Sequence, residues 1–287
     1  ERGKANGAKV EIINEKQLKM FIPQAISASG RALWSPNTSV VNPKQIIERL
    51  KEQVSDYGVK FVLGKGINNI NPKSNEIILE GNEIFKFGHL INCAGLGALN
   101  IANFYGLGKE YNLIPFKGLY WDLKDNSELN IKHNLYPVPD LDLPFLGVHF
   151  TPDVQSPPKI CIGPTAIPAL GIENYEGIQN IQLISFIKNA TLLSKEYLSG
   201  NSKFRNYVNQ QAFHFLKPFV WKSAKLIIPE LKYKDLKISK KVGIRPQLFN
   251  KLTRKLEDDF ICNSAKDSTH ILNAISPAFT ASFEFAD

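Results

Sequence analysis

Cysteine, arginine and long apolar runs are all scarce in this sequence of 287 residues. Its three cysteines, Cys93, Cys161 and Cys262, stand far apart without CxxC spacing. That argues against disulfides and a zinc site alike and fits a reducing compartment. No apolar run approaches the roughly 20 residues of a membrane-spanning helix. A globular protein is expected, cytoplasmic, with peripheral membrane association left open. The opening residues, ERGKANGAKVEIINEK, hold no methionine, no signal-peptide core and no transit-peptide character. A Gly/Asn turn leading straight into a polar strand reads as a piece of something longer. Six of the 35 basic residues are arginines (Arg2, Arg31, Arg49, Arg205, Arg245, Arg254) and the other 29 are lysines. The net charge of +8 is spread over dispersed lysines, with no basic stripe interleaved with stacking aromatics, so nucleic acid is not an expected partner.

The stretch that organises the rest is Phe87 to Asn100, FGHLINCAGLGALN. Leu90, Ile91 and Cys93 make a short apolar run of the kind a strand buried on both faces shows. Gly95 and Gly97 follow, and Ala98 to Phe104 reads as a short helix. A strand, a glycine turn and a helix start let a backbone approach a bound cofactor closely. The small residues Cys93, Ala94 and Gly95 leave room for something flat. An ordinary tight connection is the plain alternative.

Before this stretch, Val10 to Ile13 reads as a strand and Glu15 to Met20 as a short polar helix. Asn42, Pro43 and Gln45 open the best helix, with Ile46, Ile47, Leu50 and Val54 on one face and Gly58 ending it. Val59 to Leu63 reads as a buried strand and Ile67 to Phe87 as hairpins. After Asn112 the texture changes. Leu113 to Leu123, Ile131 to Val138, Phe145 to Phe150 and Lys159 to Ile162 are strand-like runs separated by proline-rich turns, which predicts a mixed or antiparallel sheet. Ile181 to Leu198 and Phe204 to Phe219 are helical by periodicity, with Pro218 ending or kinking the second. Lys240 to Gln247 and Asp259 to Asn263 are short strands, and Ser276-Pro277-Ala278 reads as the opening of a helix.

Four stretches read together: INCAGLGA at Ile91, IPFKGLYW at Ile114, NLYPVPDLDLPFLGVHFTPD at Asn134, and VGIRPQL at Val242 with HILNAISPAFTAS at His270. In these the chain resembles the L-2-hydroxyglutarate oxidase/dehydrogenase family, within the D-amino-acid-oxidase-like class of FAD enzymes. The resemblance implies an α/β (α+β) fold, with part of a Rossmann-like FAD-binding domain and a mixed or antiparallel substrate domain. It implies 1–41 and 109–236 as the substrate domain and 42–108 and 237–287 as parts of the FAD domain. It further implies oxidation of L-2-hydroxyglutarate to 2-oxoglutarate by hydride transfer to flavin; the electron acceptor, oxygen, a quinone or another flavoprotein, is left open. The alternatives are a related FAD-dependent amino-acid or glycerol-3-phosphate oxidoreductase, or a non-catalytic remnant acting as a binding or structural module. The GxGxxG turn that opens such enzymes is absent, so this chain expressed alone is expected not to retain FAD.

Such chemistry needs a cation for carboxylate, a base for the hydroxyl proton, and donors for charge developing on the flavin. Arg245, at a strand end closed by Pro246, is the candidate cation and flavin neighbour; a surface salt bridge is its plain alternative. Lys117 is a second candidate, for a distal carboxylate. His149 alternates with Val148 and Phe150 and is the candidate base, against a hydrogen-bonded core histidine. Tyr120 and Tyr136 are candidate pocket hydroxyls. Cys93, Ala94, Gly95, Ser276, Pro277 and Ala278 are the candidate cofactor contacts. His89, His133 and His214 read as structural.

Overall fold

The computed structural model describes residues 1–138, 147–155, 159–200, 202–211 and 213–287. In chain order come α1 (Arg2–Ala5), β1 (Glu11–Asn14), α2 (Glu15–Phe21), β2 (Arg31–Trp34), α3 (Pro43–Asp56), β3 (Ile67–Asn71), β4 (Glu76–Leu79), β5 (Ile84–Lys86) and β6 (Leu90–Asn92). Next are α4 (Ala98–Phe104), β7 (Tyr111–Leu123), β8 (His149–Pro152), β9 (Ile160–Gly163), β10 (Ile167–Pro168), α5 (Leu183–Leu198), α6 (Ser202–Gln211) and α7 (Lys217–Lys225). The chain closes with β11 (Leu236–Asn250), β12 (Lys255–Leu256), β13 (Cys262–Ala265), β14 (Ser268–Ile271) and α8 (Ser282–Ala286). Among the described residues no helix is long and apolar enough to cross a membrane.

The chain divides into two compact units, each made of three separate segments. Unit 1 is Glu1–Val59, Gly118–Ile167 and Ser202–Val242; unit 2 is Lys60–Lys117, Pro168–Asn201 and Gly243–Asp287. The segment 168–201 thus clusters apart from the region expected to form the substrate domain, and α3 clusters apart from β6.

Unit 1 is built on antiparallel pairing of β7 with β9 and of β9 with β8. Its alternation is strict. Trp121, Leu123, Ile160, Ile162 and Phe150 point into a core closed by Val220 and Ala224 of α7 and Leu18 of α2. Burying such side chains contributes on the order of 1.5–3 kcal/mol each, which sets the register, because a one-residue slip would turn them all to the other face. Asn42 caps α3 with Pro43 in its first turn, as the sequence predicts, and Asn14 caps α2 with a full capping box.

Unit 2 contains a mixed three-stranded sheet, ordered β13-β14-β6, in which β14 and β6 run parallel. It also holds the antiparallel meander β3-β4-β5 expected from the hairpin turns. Its core joins Leu99 and Ala102 of α4 to Leu248 and Leu272. The mixed α/β class with antiparallel sheets stands as expected.

Several local expectations are corrected. Val59 to Leu63 forms no strand and is exposed, because no strand lies alongside it among the described residues. Strand β6 is not covered on both faces: it is an edge strand, and Ile91 is 67% exposed. The face of α3 carrying Ile46 and Ile47 is likewise exposed. Ser276-Pro277-Ala278 does not open a helix; residues 277–281 turn, and α8 starts only at Ser282. The single helix expected over 204–219 is two, α6 and α7, with Pro218 in the first turn of α7. Of the run 131–138, Leu135 bridges Phe150 and the rest is irregular. Residues 139–146, inside the stretch YPVPDLDLPFLG and including the start of the strand expected at Phe145, lie outside the described residues.

Candidate functional site

The face of the unit 1 sheet opposite its core is polar. Gly163 of β9 pairs with His149 of β8, and Trp121 pairs with Ile162, which sets Tyr120 level with Gly163 on its other side. Residues level across a sheet share a face. Tyr120, Gly163 and His149 therefore form one row across three strands, and the glycine allows a close approach to β7. Only glycine fits there. Its φ is +137°, and a Cβ would stand 2.9 Å from the Leu119 carbonyl oxygen. One row further, Asp122, Cys161 and Thr151 occupy the same face. The Cys161 thiol donates to Asp122 Oδ1 at 3.6 Å, and Lys159 Nζ lies 3.1 Å from Asp122 Oδ2.

His149 has one ring nitrogen accounted for. Its Nδ1 lies 2.9 Å from the Gly147 carbonyl oxygen, an acceptor only, so Nδ1 carries the proton and Nε2 keeps its lone pair. Tyr136 stacks on the ring, with centroids 4.2 Å apart and 25° between planes. Lys241 of β11 holds its Nζ 4.8 Å from the centre of the Tyr120 ring. Burial first, then the Lys241 charge, lowers the His149 pKa below its ordinary value, against the pull of the Gly147 bond. Burial also raises the Tyr120 phenol, helped by Cys161 and Tyr136, and raises the Cys161 thiol. Near neutral pH the face presents a neutral imidazole, a protonated phenol, a protonated thiol and an ammonium. A proton acceptor beside a cation suits an anionic alcohol.

In unit 2 the parallel strands β6 and β14 end at the same edge, where ligands of α/β sheets bind. Cys93, Ala94 and Gly95 leave β6 there, and Ser276 to Ala278 follow β14 after four residues. Cys93 is exposed, Gly95 adopts φ +54°, and a Cβ on Gly95 would meet nothing within 4 Å. Small side chains and open space at a strand end fit a flat cofactor ring approaching the backbone.

Of the residues singled out in the sequence, Tyr120, Tyr136 and His149 come together in unit 1. Lys117 and Arg245 belong to unit 2. Lys117 is buried, its Nζ 3.5 Å from Asn174 Oδ1, and burial lowers its pKa despite Glu176. Arg245 is half-buried in β11. A cavity of about 470 Å³ in unit 2, edged by Lys109, Lys188 and Lys251, includes none of these residues. His133 packs edge-on against Phe21 and Trp34, His89 bonds Thr269, and His214 bonds Ser223, in keeping with structural roles. Among the described residues no cluster of three or more His, Cys, Asp or Glu is placed to hold a metal. Sequence reasoning missed Lys241 and Gly163. One was hidden among 29 lysines, and the other is legible only once strands are paired.

The family model described as FAD dependent oxidoreductase matches residues 1–285. The chain is 32% identical over 287 residues to an L-2-hydroxyglutarate dehydrogenase of Indibacter alkaliphilus, covering 98% of this chain and 69% of that protein. It is 31% identical over 302 residues to the mitochondrial L-2-hydroxyglutarate dehydrogenase of Caenorhabditis elegans, covering 99% and 67%. The chain thus spans about two thirds of the length of these relatives. Its fold is similar to that of the L-alpha-glycerophosphate oxidase of Mycoplasma pneumoniae solved with FAD bound, with TM-score 0.64 and 17% identity, covering 98% of this chain and 64% of that one.

Proposed function

The chain belongs to the FAD dependent oxidoreductase family, and from that premise we propose that it serves the oxidation of L-2-hydroxyglutarate to 2-oxoglutarate. The observation that carries this reading is the row Tyr120–Gly163–His149 with Lys241 beside it, a base and a cation on one face. The names of the relatives point to the same acid.

FAD, when bound, supplies the acceptor for the hydride leaving the alcohol carbon. His149 Nε2 takes the hydroxyl proton, and the Nδ1–H bond to the Gly147 carbonyl keeps the ring in the tautomer that can do so. Lys241 attracts a substrate carboxylate. Lys117 and Arg245 are the further cations for a dianionic acid, Arg245 with a fork suited to two-point contact. The Tyr120 and Tyr136 hydroxyls orient the substrate. Cys93, Ala94, Gly95 and Ser276 to Ala278 hold the cofactor, their small side chains leaving its ring free to approach the backbone.

The test is anaerobic reduction of the full-length, FAD-loaded protein by L-2-hydroxyglutarate, its D enantiomer, glycine and glycerol 3-phosphate in parallel. Bleaching by L-2-hydroxyglutarate alone is expected. Faster bleaching by glycine or glycerol phosphate would transfer the assignment to that substrate class.

A further inference from the structure

Behind the glycine turn of unit 2 lies a buried polar chain that the proposed chemistry leaves unused. Asn92 ends β6 and is 2% exposed; His270 lies beside it in β14 and is fully buried. The Asn92 amide makes three contacts. Its Oδ1 accepts from the Ala94 N–H at 3.3 Å, its Nδ2 donates to the Ala98 carbonyl at 2.8 Å, and Nδ2 lies 3.0 Å from His270 Nδ1. A side-chain amide that accepts from a backbone N–H and donates to a backbone carbonyl has one orientation open to it. The contact to His270 is therefore an N–H donated to Nδ1, and Nδ1 carries no proton. The neutral imidazole then has its proton on Nε2, which donates to Ser268 Oγ at 3.0 Å. Tyr105, which caps the end of α4, closes the ring from the side, with centroids 4.7 Å apart.

We propose that His270, as its Nε2–H tautomer, is a positioning residue: it fixes Asn92, and Asn92 fixes residues 94–98 in the conformation that receives FAD. The second half rests on the reading above that this turn meets the cofactor; the first half does not. Asn92 ties both ends of the turn, Ala94 and Ala98, and His270 is what holds the amide in place. Protonating Nδ1 would set two donors against each other. The groups facing His270 are Asn92 from β6, Asn263 paired with it on β13, Ser268 on its own strand and Tyr105 at the C-terminal cap of α4; the nearby Asp267 acts on Tyr105. None of those facing groups is a carboxylate, and burial lowers the His270 pKa. The latch is complete above the ordinary histidine value and opens as pH falls through the lower folded one.

Two variants separate the bonds. His270→Asn puts an amide oxygen where Nδ1 lies, keeping the acceptor for Asn92 and losing the donor to Ser268. His270→Gln puts an amide nitrogen near Nε2, keeping the Ser268 bond and losing the acceptor. Amide hydrogen exchange of Ala94 to Ala98 in the intact protein, without FAD, is the direct readout. His270→Gln should speed exchange there by about tenfold or more, as expected when a buried donor loses its partner, while β13 and β14 stay protected. His270→Asn should stay close to wild type. Lowering pH should loosen the same residues in wild type but not in His270→Asn. Equal exchange in both variants overturns the latch. Where a variant fails to fold, the imidazole nitrogen shifts of the wild-type protein read the tautomer, and a proton on Nδ1 overturns it as well. A turn that loosens in His270→Gln while FAD affinity, measured by flavin fluorescence, stays unchanged overturns the cofactor half and leaves the latch standing.

Discussion

Replacing Gly163 by alanine tests whether the close approach at Gly163 builds the row Tyr120–Gly163–His149. The backbone there has φ +137°, a conformation that side chains other than glycine rarely adopt, and holding alanine in it costs about 1–3 kcal/mol. The new Cβ would also stand 2.9 Å from the Leu119 carbonyl oxygen and 3.4 Å from Tyr120 Cα. Both are backbone atoms, so β7 and β9 must part, adding about 1–3 kcal/mol of overpacking. A total of about 2–6 kcal/mol is a large share of the roughly 5–15 kcal/mol that holds a domain together. Urea unfolding followed by tryptophan fluorescence measures this loss, with Trp121 next to the change. Gly95→Ala is the control: φ is +54° but nothing lies within 4 Å of its Cβ, so only the left-handed backbone cost of about 1–2 kcal/mol applies. In the protein that stays folded and FAD-loaded, parting β7 from β9 shifts Tyr120 relative to His149, and KM for L-2-hydroxyglutarate should rise about tenfold, some 1.4 kcal/mol. If Gly163→Ala is no less stable than Gly95→Ala and reduces its flavin with unchanged KM, the close approach plays no part.

Three further variants have expected outcomes. His149→Ala should slow flavin reduction by L-2-hydroxyglutarate about 10²–10⁴-fold per bound FAD in stopped flow, and a loss under tenfold assigns the proton to another group. Because the folded pKa of His149 is depressed, its contribution to stability is present above about 6.5, the ordinary value, and is lost as pH falls through the folded value; the acid-side fall in unfolding free energy should be shallower in His149→Ala. Lys241→Met removes a charge that lowers the His149 pKa, so the acid limb of the reduction rate should move to higher pH and KM should rise; a limb that moves the other way refutes the coupling. Lys117→Met exchanges a buried ammonium, set against the Asn174 amide, for an apolar side chain of similar length. Stability by urea titration should hold or improve, while KM for the dianion rises; a stability loss beyond about 3 kcal/mol would mark Lys117 as a structural partner instead.

Much of the fold was legible. The capped start of α3, the meander at 67–86, the β6–turn–α4 unit and the outward face of His149 all follow from local rules that need only neighbouring residues. Errors came where burial depends on a partner far along the chain. Val59 to Leu63 has the composition of a buried strand, but composition cannot supply the strand beside it. Ile91 has the same history: its apolar neighbours mark a strand, and only the sheet order shows it lies at an edge. In the site, His149, Tyr120 and Tyr136 were visible as residue types on strands. The close approach at Gly163 and the approach of Lys241 exist only after β7, β9 and β8 are in register. His270 went unweighed because a histidine among Thr269, Ile271 and Leu272 looks like strand filling until its two ring nitrogens are matched to partners.

The division of each unit into three separated segments has a consequence for how the chain is made. In unit 1, Trp121 shares its core with Val220 and Ala224. At roughly 5–20 residues per second, the stretch from β7 to α7 leaves the ribosome over about 5–20 s. Throughout that interval Trp121 and Leu123 are already synthesised, and Ile160 and Ile162 join them partway, while the helix that covers them is not. The nascent chain therefore carries an uncovered apolar sheet face for seconds, long enough for a holding chaperone to bind, and the yield of folded protein should depend on chaperone supply and on how fast codons 123–217 are read.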